Sequence, residues 1–80
     1  MNYIYVLRSL KNGKRYVGST KLRPEERLKQ HHQGSNRWTS QNGPFELVYS
    51  EEFLTFSDAR KRERFLKSGI GRKFLDNFLK

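Results

Sequence analysis

The 80-residue sequence predicts an α+β fold. Three observations carry that expectation. Two stretches of strand formers flank Asn12-Gly13, a strong hairpin signal. A third apolar alternation stands alone at residues 45–50, so there is no βαβ alternation. Helix start and stop residues punctuate the remainder, giving the order strand, strand, helix, strand, helix, helix.

Each element has a local cause. Tyr3-Ile4-Tyr5-Val6-Leu7 and Arg15-Tyr16-Val17-Gly18 are dense in aromatic and β-branched residues, which suit a pleated surface. Asn12 and Gly13 both accept positive φ, so a two-residue loop is expected, pairing Lys11 with Lys14, Ser9 with Tyr16 and Tyr5 with Thr20. In that register Tyr5 and Tyr16 share a face but stand roughly 13 Å apart along the ribbon. Pro24 suits a first helical turn, and Glu25 to about Gln33 contains helix formers before Gly34 offers a stop. Residues 35–43, with Trp38 as their one large apolar group, read as a loop. Phe45, Leu47 and Tyr49 alternate with Glu46, Val48 and Ser50, which predicts a third strand with one buried face. Thr55 followed by Asp58 marks the start of a helix running to about Ser68. Gly69 and Gly71 break it, and Phe74, Leu75, Phe78 and Leu79 give a last short helix an apolar stripe.

Size and composition narrow the function. Residues 1–80 are expected to form one domain without repeats or linkers. Cysteine is absent, so disulfides, a thiolate metal site and a thiol nucleophile are excluded. The opening residues carry no basic leader and the apolar run from Tyr3 to Leu7 is too short to span a membrane, so a cytoplasmic, soluble protein is expected. Seventeen Lys and Arg against eight Asp and Glu give a net charge of +9, which favours a polyanionic partner. The basic residues are spread along the chain instead of forming a juxtamembrane block, which favours nucleic acid over a membrane.

Helical spacing singles out Glu63, because Phe56, Ala59, Leu66 and Ile70 fall on one stripe and an acid lies within it. A buried carboxylate must be paired with a cation or coordinated to a metal, and geometry alone leaves both open. Tyr5 and Tyr16 on the hairpin are either ordinary half-buried strand tyrosines or one wall of a site. Arg27 and His31 lie four residues apart on one helix face, where they either grip and protonate a phosphate or form a solvated polar surface. His32 is read as a bystander, and zinc is rejected because adjacent histidines on a helix point apart and no cysteine completes a site.

Together these residues resemble the GIY-YIG nuclease superfamily, especially its small stand-alone bacterial members, which are similar to the N-terminal domain of the excision-repair nuclease. Tyr3-Ile4-Tyr5 stands in the first motif and Tyr16-Val17-Gly18 in the second. Arg27 matches the helix arginine and Glu63 the metal-binding glutamate, and the stretch from Ser57 to Glu63 with Leu66-Lys67 also fits the small members. Tyr3 replaces the first glycine, Val17 replaces isoleucine, and Ser19 stands where some repair-type members carry lysine. A late asparagine used by some members has no match.

The resemblance implies a small central antiparallel three-stranded sheet flanked by helices. It also implies a divalent-metal-dependent endonuclease acting on nucleic acid, with DNA the expected substrate and DNA repair a family context. Mg2+ or Mn2+ would be held by Glu63, Tyr16 with Tyr5 or His31 would activate or orient water, and Arg27 would stabilise charge on the phosphate. The alternative is a nucleic-acid-binding module with little intrinsic nuclease activity. No separate recognition module fits in this length, so low sequence specificity is expected, and selectivity would need a homodimer, a protein partner or a special substrate shape.

Overall fold

A computed structural model describes residues 1–33 and 37–79. The elements are β1 (Asn2–Ser9), β2 (Arg15–Thr20), α1 (Pro24–His32), α2 (Arg37–Asn42), β3 (Phe45–Phe53), α3 (Phe56–Lys67) and α4 (Gly69–Phe78). The strands form an antiparallel sheet in the order β2-β1-β3, with helices on both faces, as the expected α+β architecture requires. Among the described residues no helix is long and apolar enough to cross a membrane.

The hairpin loop is longer than expected. Arg8 pairs with Arg15, Leu7 with Tyr16 and Tyr5 with Gly18, which moves the register by two residues and leaves four residues in the loop. Ser9 closes it: its N–H donates to the Lys14 carbonyl at 2.8 Å, and its carbonyl accepts from the Gly13 N–H at 2.9 Å. The buried Ser9 hydroxyl also accepts the Lys11 and Asn12 amides, at 3.1 and 3.2 Å. These bonds satisfy the amides of the longer loop, and Gly13 supplies its positive φ, 74°. A shift of two preserves the alternation, so Tyr5 and Tyr16 still share a face.

Part of the expected loop is helical. α2 is too short to show a periodicity in sequence, and the hairpin loop satisfies its end. The Ser9 hydroxyl donates to the Asn42 carbonyl at 2.6 Å, Lys11 Nζ to the Gln41 carbonyl at 3.4 Å, and Asn12 Nδ2 to Asn42 Oδ1 at 2.8 Å. The expected stop at Gly34 and the loop residues Ser35 and Asn36 lie outside the described residues, as does the side chain of Trp38.

β3 covers both faces instead of one. A bulge between Val6 and Leu7 sets Tyr49 opposite Val6 but Leu47 opposite Leu7, so one extra residue passes the apolar side chains across the sheet. Ile4, Val6 and Val17 pack against Ala59, Leu66 and Leu75 of α3 and α4, with Tyr49 and Val48 beside them. On the other face Tyr5, Leu7 and Phe45 pack with Tyr16, Leu47 and Leu28 of α1.

Thr55 caps α3 as expected, its hydroxyl accepting the Asp58 amide at 3.1 Å. Only Ala59 and Leu66 of the expected stripe are buried; Phe56 is exposed and Ile70, 73% exposed, lies beyond the helix. The chain turns at Ser68, which caps α4 by accepting the Gly71 amide at 3.2 Å. Gly69 and Gly71 therefore begin α4 and do not merely end α3. Gly71 permits the close crossing, since a Cβ there would stand 1.9 Å from the Phe65 carbonyl oxygen.

Candidate active site

Strand alternation sends Tyr5 and Tyr16 toward α1, and the observed register brings them near each other, with ring centroids 6.2 Å apart. His31, one helical turn beyond Arg27, buries its ring between them, 5.7 Å from the Tyr5 ring and edge-on to Tyr16 at 4.9 Å. The Tyr5 hydroxyl lies 2.8 Å from His31 Nε2. Arg27 is half-buried beside them and donates from Nη1 to Gln30 Oε1 at 2.7 Å.

Burial decides the protonation states. It pushes the Tyr5 hydroxyl up to about 12, reinforced by Tyr16 and opposed by the charge and hydrogen bond of Arg27. It lowers His31 to about 4, with the charges of Arg27 and His32 acting in the same direction. At neutral pH Tyr5 keeps its proton and His31 is uncharged, so the bond joins a neutral phenol and a neutral imidazole. The hydroxyl and the imidazole share one buried hydrogen bond.

Glu63 lies on the other face of the sheet. It reaches the strands through Ser19, which follows Gly18 in β2 and points the opposite way. Ser19 Oγ donates to Glu63 Oε1 at 2.7 Å, Lys67 Nζ donates to Oε2 at 2.7 Å, and Arg60 Nε lies 3.6 Å from Oε1. Burial works to raise this carboxyl, but the hydrogen bonds from Lys67 and Ser19, with the charges of Lys67 and Arg60, outweigh it and hold it below its ordinary value. The side chain is 13% exposed and ionised.

The five residues singled out in the sequence therefore fall into two groups. Tyr5, Tyr16, Arg27 and His31 come together on the α1 face, and Glu63 stands on the α3 face. β2 is an edge strand with Tyr16 and Gly18 on one side and Ser19 on the other, so one short segment of backbone serves both groups.

Sequence reasoning missed Lys67 and Ser19, two side chains that bond Glu63. The i,i+4 spacing of Glu63 and Lys67 was a readable signal for their pair. Ser19 had been noted only for the lysine it replaces. His32 has a structural place: its Nε2 accepts the Phe45 N–H at 3.0 Å and its ring stacks on Phe45, which ties the end of α1 to the start of β3.

Comparison with known families matches residues 1–73 to the GIY-YIG catalytic domain. A UPF0213 protein of Clostridium perfringens (strain 13 / Type A) is 38% identical over 68 residues, which cover 84% of this chain and 71% of that protein. No solved structure matches. The domain match over nearly the whole sequence, together with that relative, shows that this chain is a small member of the GIY-YIG family, a nuclease-type superfamily.

Proposed function

We propose that this protein is a divalent-metal-dependent endonuclease that hydrolyses phosphodiester bonds of nucleic acid, DNA foremost, with low intrinsic sequence specificity. The observation that carries this reading is the convergence of Tyr5, Tyr16 and His31 from three different elements beside the Arg27 guanidinium. A merely structural pair of strand tyrosines needs no buried histidine to fix one hydroxyl.

Hydrolysis forms a phosphorus–oxygen bond from water, breaks the bond to the leaving sugar oxygen, and moves one proton from the water to that oxygen. Tyr16 orients the attacking water. Tyr5, held by His31, remains protonated and fixes the Tyr16 ring and the hydrogen-bonding pattern around it. Arg27 stabilises the charge that grows on the phosphate. Family membership and net positive charge support nucleic acid as the substrate.

Mg2+ or Mn2+ fits the residues on the α3 face. Glu63 offers an ionised carboxylate with the Ser19 hydroxyl against it, an all-oxygen pair of the kind these hard cations prefer. Among the described residues no three His, Asp or Glu side chains converge, and a single carboxylate such as Glu63 is a count magnesium tolerates because it retains waters. When bound, such a cation polarises a phosphoryl oxygen and offsets charge on the leaving oxygen.

The test is incubation of the pure protein with duplex, single-stranded, flapped and branched DNA and with RNA, in magnesium or manganese against chelator. Metal-dependent strand scission is expected. A second reading, a binding module without cleavage, is favoured by one observation: both Glu63 oxygens already accept hydrogen bonds. Binding to every substrate with no cleavage in either metal would select it.

A further inference from the structure

Lys67 belongs to two features at once. Its ammonium holds Glu63 Oε2 at 2.7 Å, yet the side chain is 53% exposed. It also lines a groove of about 490 Å3 along β2, bordered by Lys14, Arg15, Tyr16 and Val17 on the strand side and by Leu66, Arg72 and Leu75 on the helix side. Arg15 is answered by Asp76 at 2.6 Å, whereas Lys14 and Arg72 have no acidic partner among the described residues. The groove is therefore concave and rimmed by cations, two of them without a carboxylate. It borders Tyr16, whose ring points to the α1 face, and reaches the Glu63 group through Lys67.

With its lysine half exposed, this ion pair is open to solvent screening, and an ammonium on a flexible stem changes partner easily. A divalent cation arriving at Glu63 would meet that ammonium at close range and repel it. The Lys67 side chain already borders the groove, where a polyanion's phosphates would be drawn by Lys14 and Arg72. Resting on the metal-dependent reading above, we propose that the groove carries the nucleic-acid backbone and that Lys67 is a shared counter-ion. Glu63 holds it in the free protein, and a substrate phosphate takes it when a divalent cation neutralises Glu63. Metal and nucleic acid then bind with positive coupling, each releasing the contact that opposes the other.

The decisive experiment needs no metal and no activity. Nucleic-acid affinity is measured in chelator across a salt series for wild type, Glu63→Gln, Lys67→Met and the double variant, with melting curves to confirm folding. Glu63→Gln frees Lys67 without metal, so affinity is expected to rise roughly two- to five-fold, the range a solvent-screened pair is worth. On duplex DNA the salt slope should steepen by about 0.9, one added phosphate contact. In the Lys67→Met background the same substitution should give no gain. An equal gain in both backgrounds overturns the proposal, because then Glu63 acts only as a repelling charge.

A second measurement titrates Mn2+ without nucleic acid. Lys67→Met should bind Mn2+ roughly two- to five-fold more tightly than wild type, and unchanged or weaker binding overturns the proposal. The metal-dependent reading fails separately, if cleavage proceeds equally in chelator, and the four-protein comparison does not depend on that result.

Discussion

The Tyr5 hydroxyl occupies the space that a side chain at Gly18 would need: a Cβ at Gly18 would stand 2.5 Å from Tyr5 Oη and 2.6 Å from Cζ. The two residues face each other across β1 and β2. Tyr5 is 1% exposed and bonded to His31, so its ring has little room to yield. Gly18→Ala is therefore expected to destabilise the protein by about 1–3 kcal/mol, the usual range for overpacking. Denaturant unfolding checks this, and wild-type stability would show that the Tyr5 ring is free to move.

Tyr5→Phe preserves the ring but removes the hydroxyl bonded to His31 Nε2. An unsatisfied buried polar atom costs about 1–3 kcal/mol. The imidazole should then show altered tautomer populations by nitrogen NMR, because the hydroxyl bonded to Nε2 is gone. A spectrum identical to wild type would remove Tyr5 from that role.

Acid should loosen the α1 face before it touches the carboxylates. His31 titrates near 4 in the folded protein and near 6.5 when unfolded, so between those values the unfolded chain binds the extra proton. Stability is thus fully present above pH 6.5 and falls as pH drops toward 4, by on the order of 2–3 kcal/mol. His31→Gln should abolish the part of this slope lying between pH 6.5 and 5. Unfolding free energy across the pH range measures it, and a flat response in wild type contradicts the buried neutral imidazole.

Glu63→Gln is expected to abolish metal-dependent cleavage while costing no more than about 1 kcal/mol of stability. The cations it would release, Lys67 and Arg60, are 53% and 52% exposed, so neither is left stranded in the core. Cleavage assays in magnesium and manganese, with melting curves, separate the two effects. Near wild-type turnover would remove Glu63 from the metal site.

Arg27→Ala should lower cleavage by about 10²- to 10³-fold, the scale seen when a donor to a charged transition state is removed. Its side chain is half-buried and bonded along its own helix to Gln30, so the stability loss should be much smaller in free-energy terms. Comparable losses in both measurements would make it a structural residue.

The sequence by itself determined the fold class, because each element carries its own punctuation. Asn12-Gly13, Pro24 and Thr55 act on neighbours a few residues away, and the apolar periods follow from backbone geometry. It also determined that Tyr5 and Tyr16 share a face, since a register error of two leaves side-chain direction unchanged. The pairing of Glu63 with Lys67 was within reach for the same reason, being a helical spacing.

Only the tertiary structure decided the rest. The four-residue loop depends on the Ser9 hydroxyl, whose partners lie both in the loop and at Asn42, 33 residues away. The short helix α2 is secured by that same contact and has too few residues to announce itself. The bulge in the β1–β3 pairing lets β3 pack against two helical layers, which alternation along one strand does not encode. Most of all, the division of the candidate site depends on the pleat of β2. Gly18 and Ser19 are adjacent in the chain, yet one makes room for Tyr5 and the other bonds Glu63 on the far side of the sheet. Protonation followed the same rule: the states of Tyr5 and His31 come from burial, which is created by everything packed around them and belongs to no single segment.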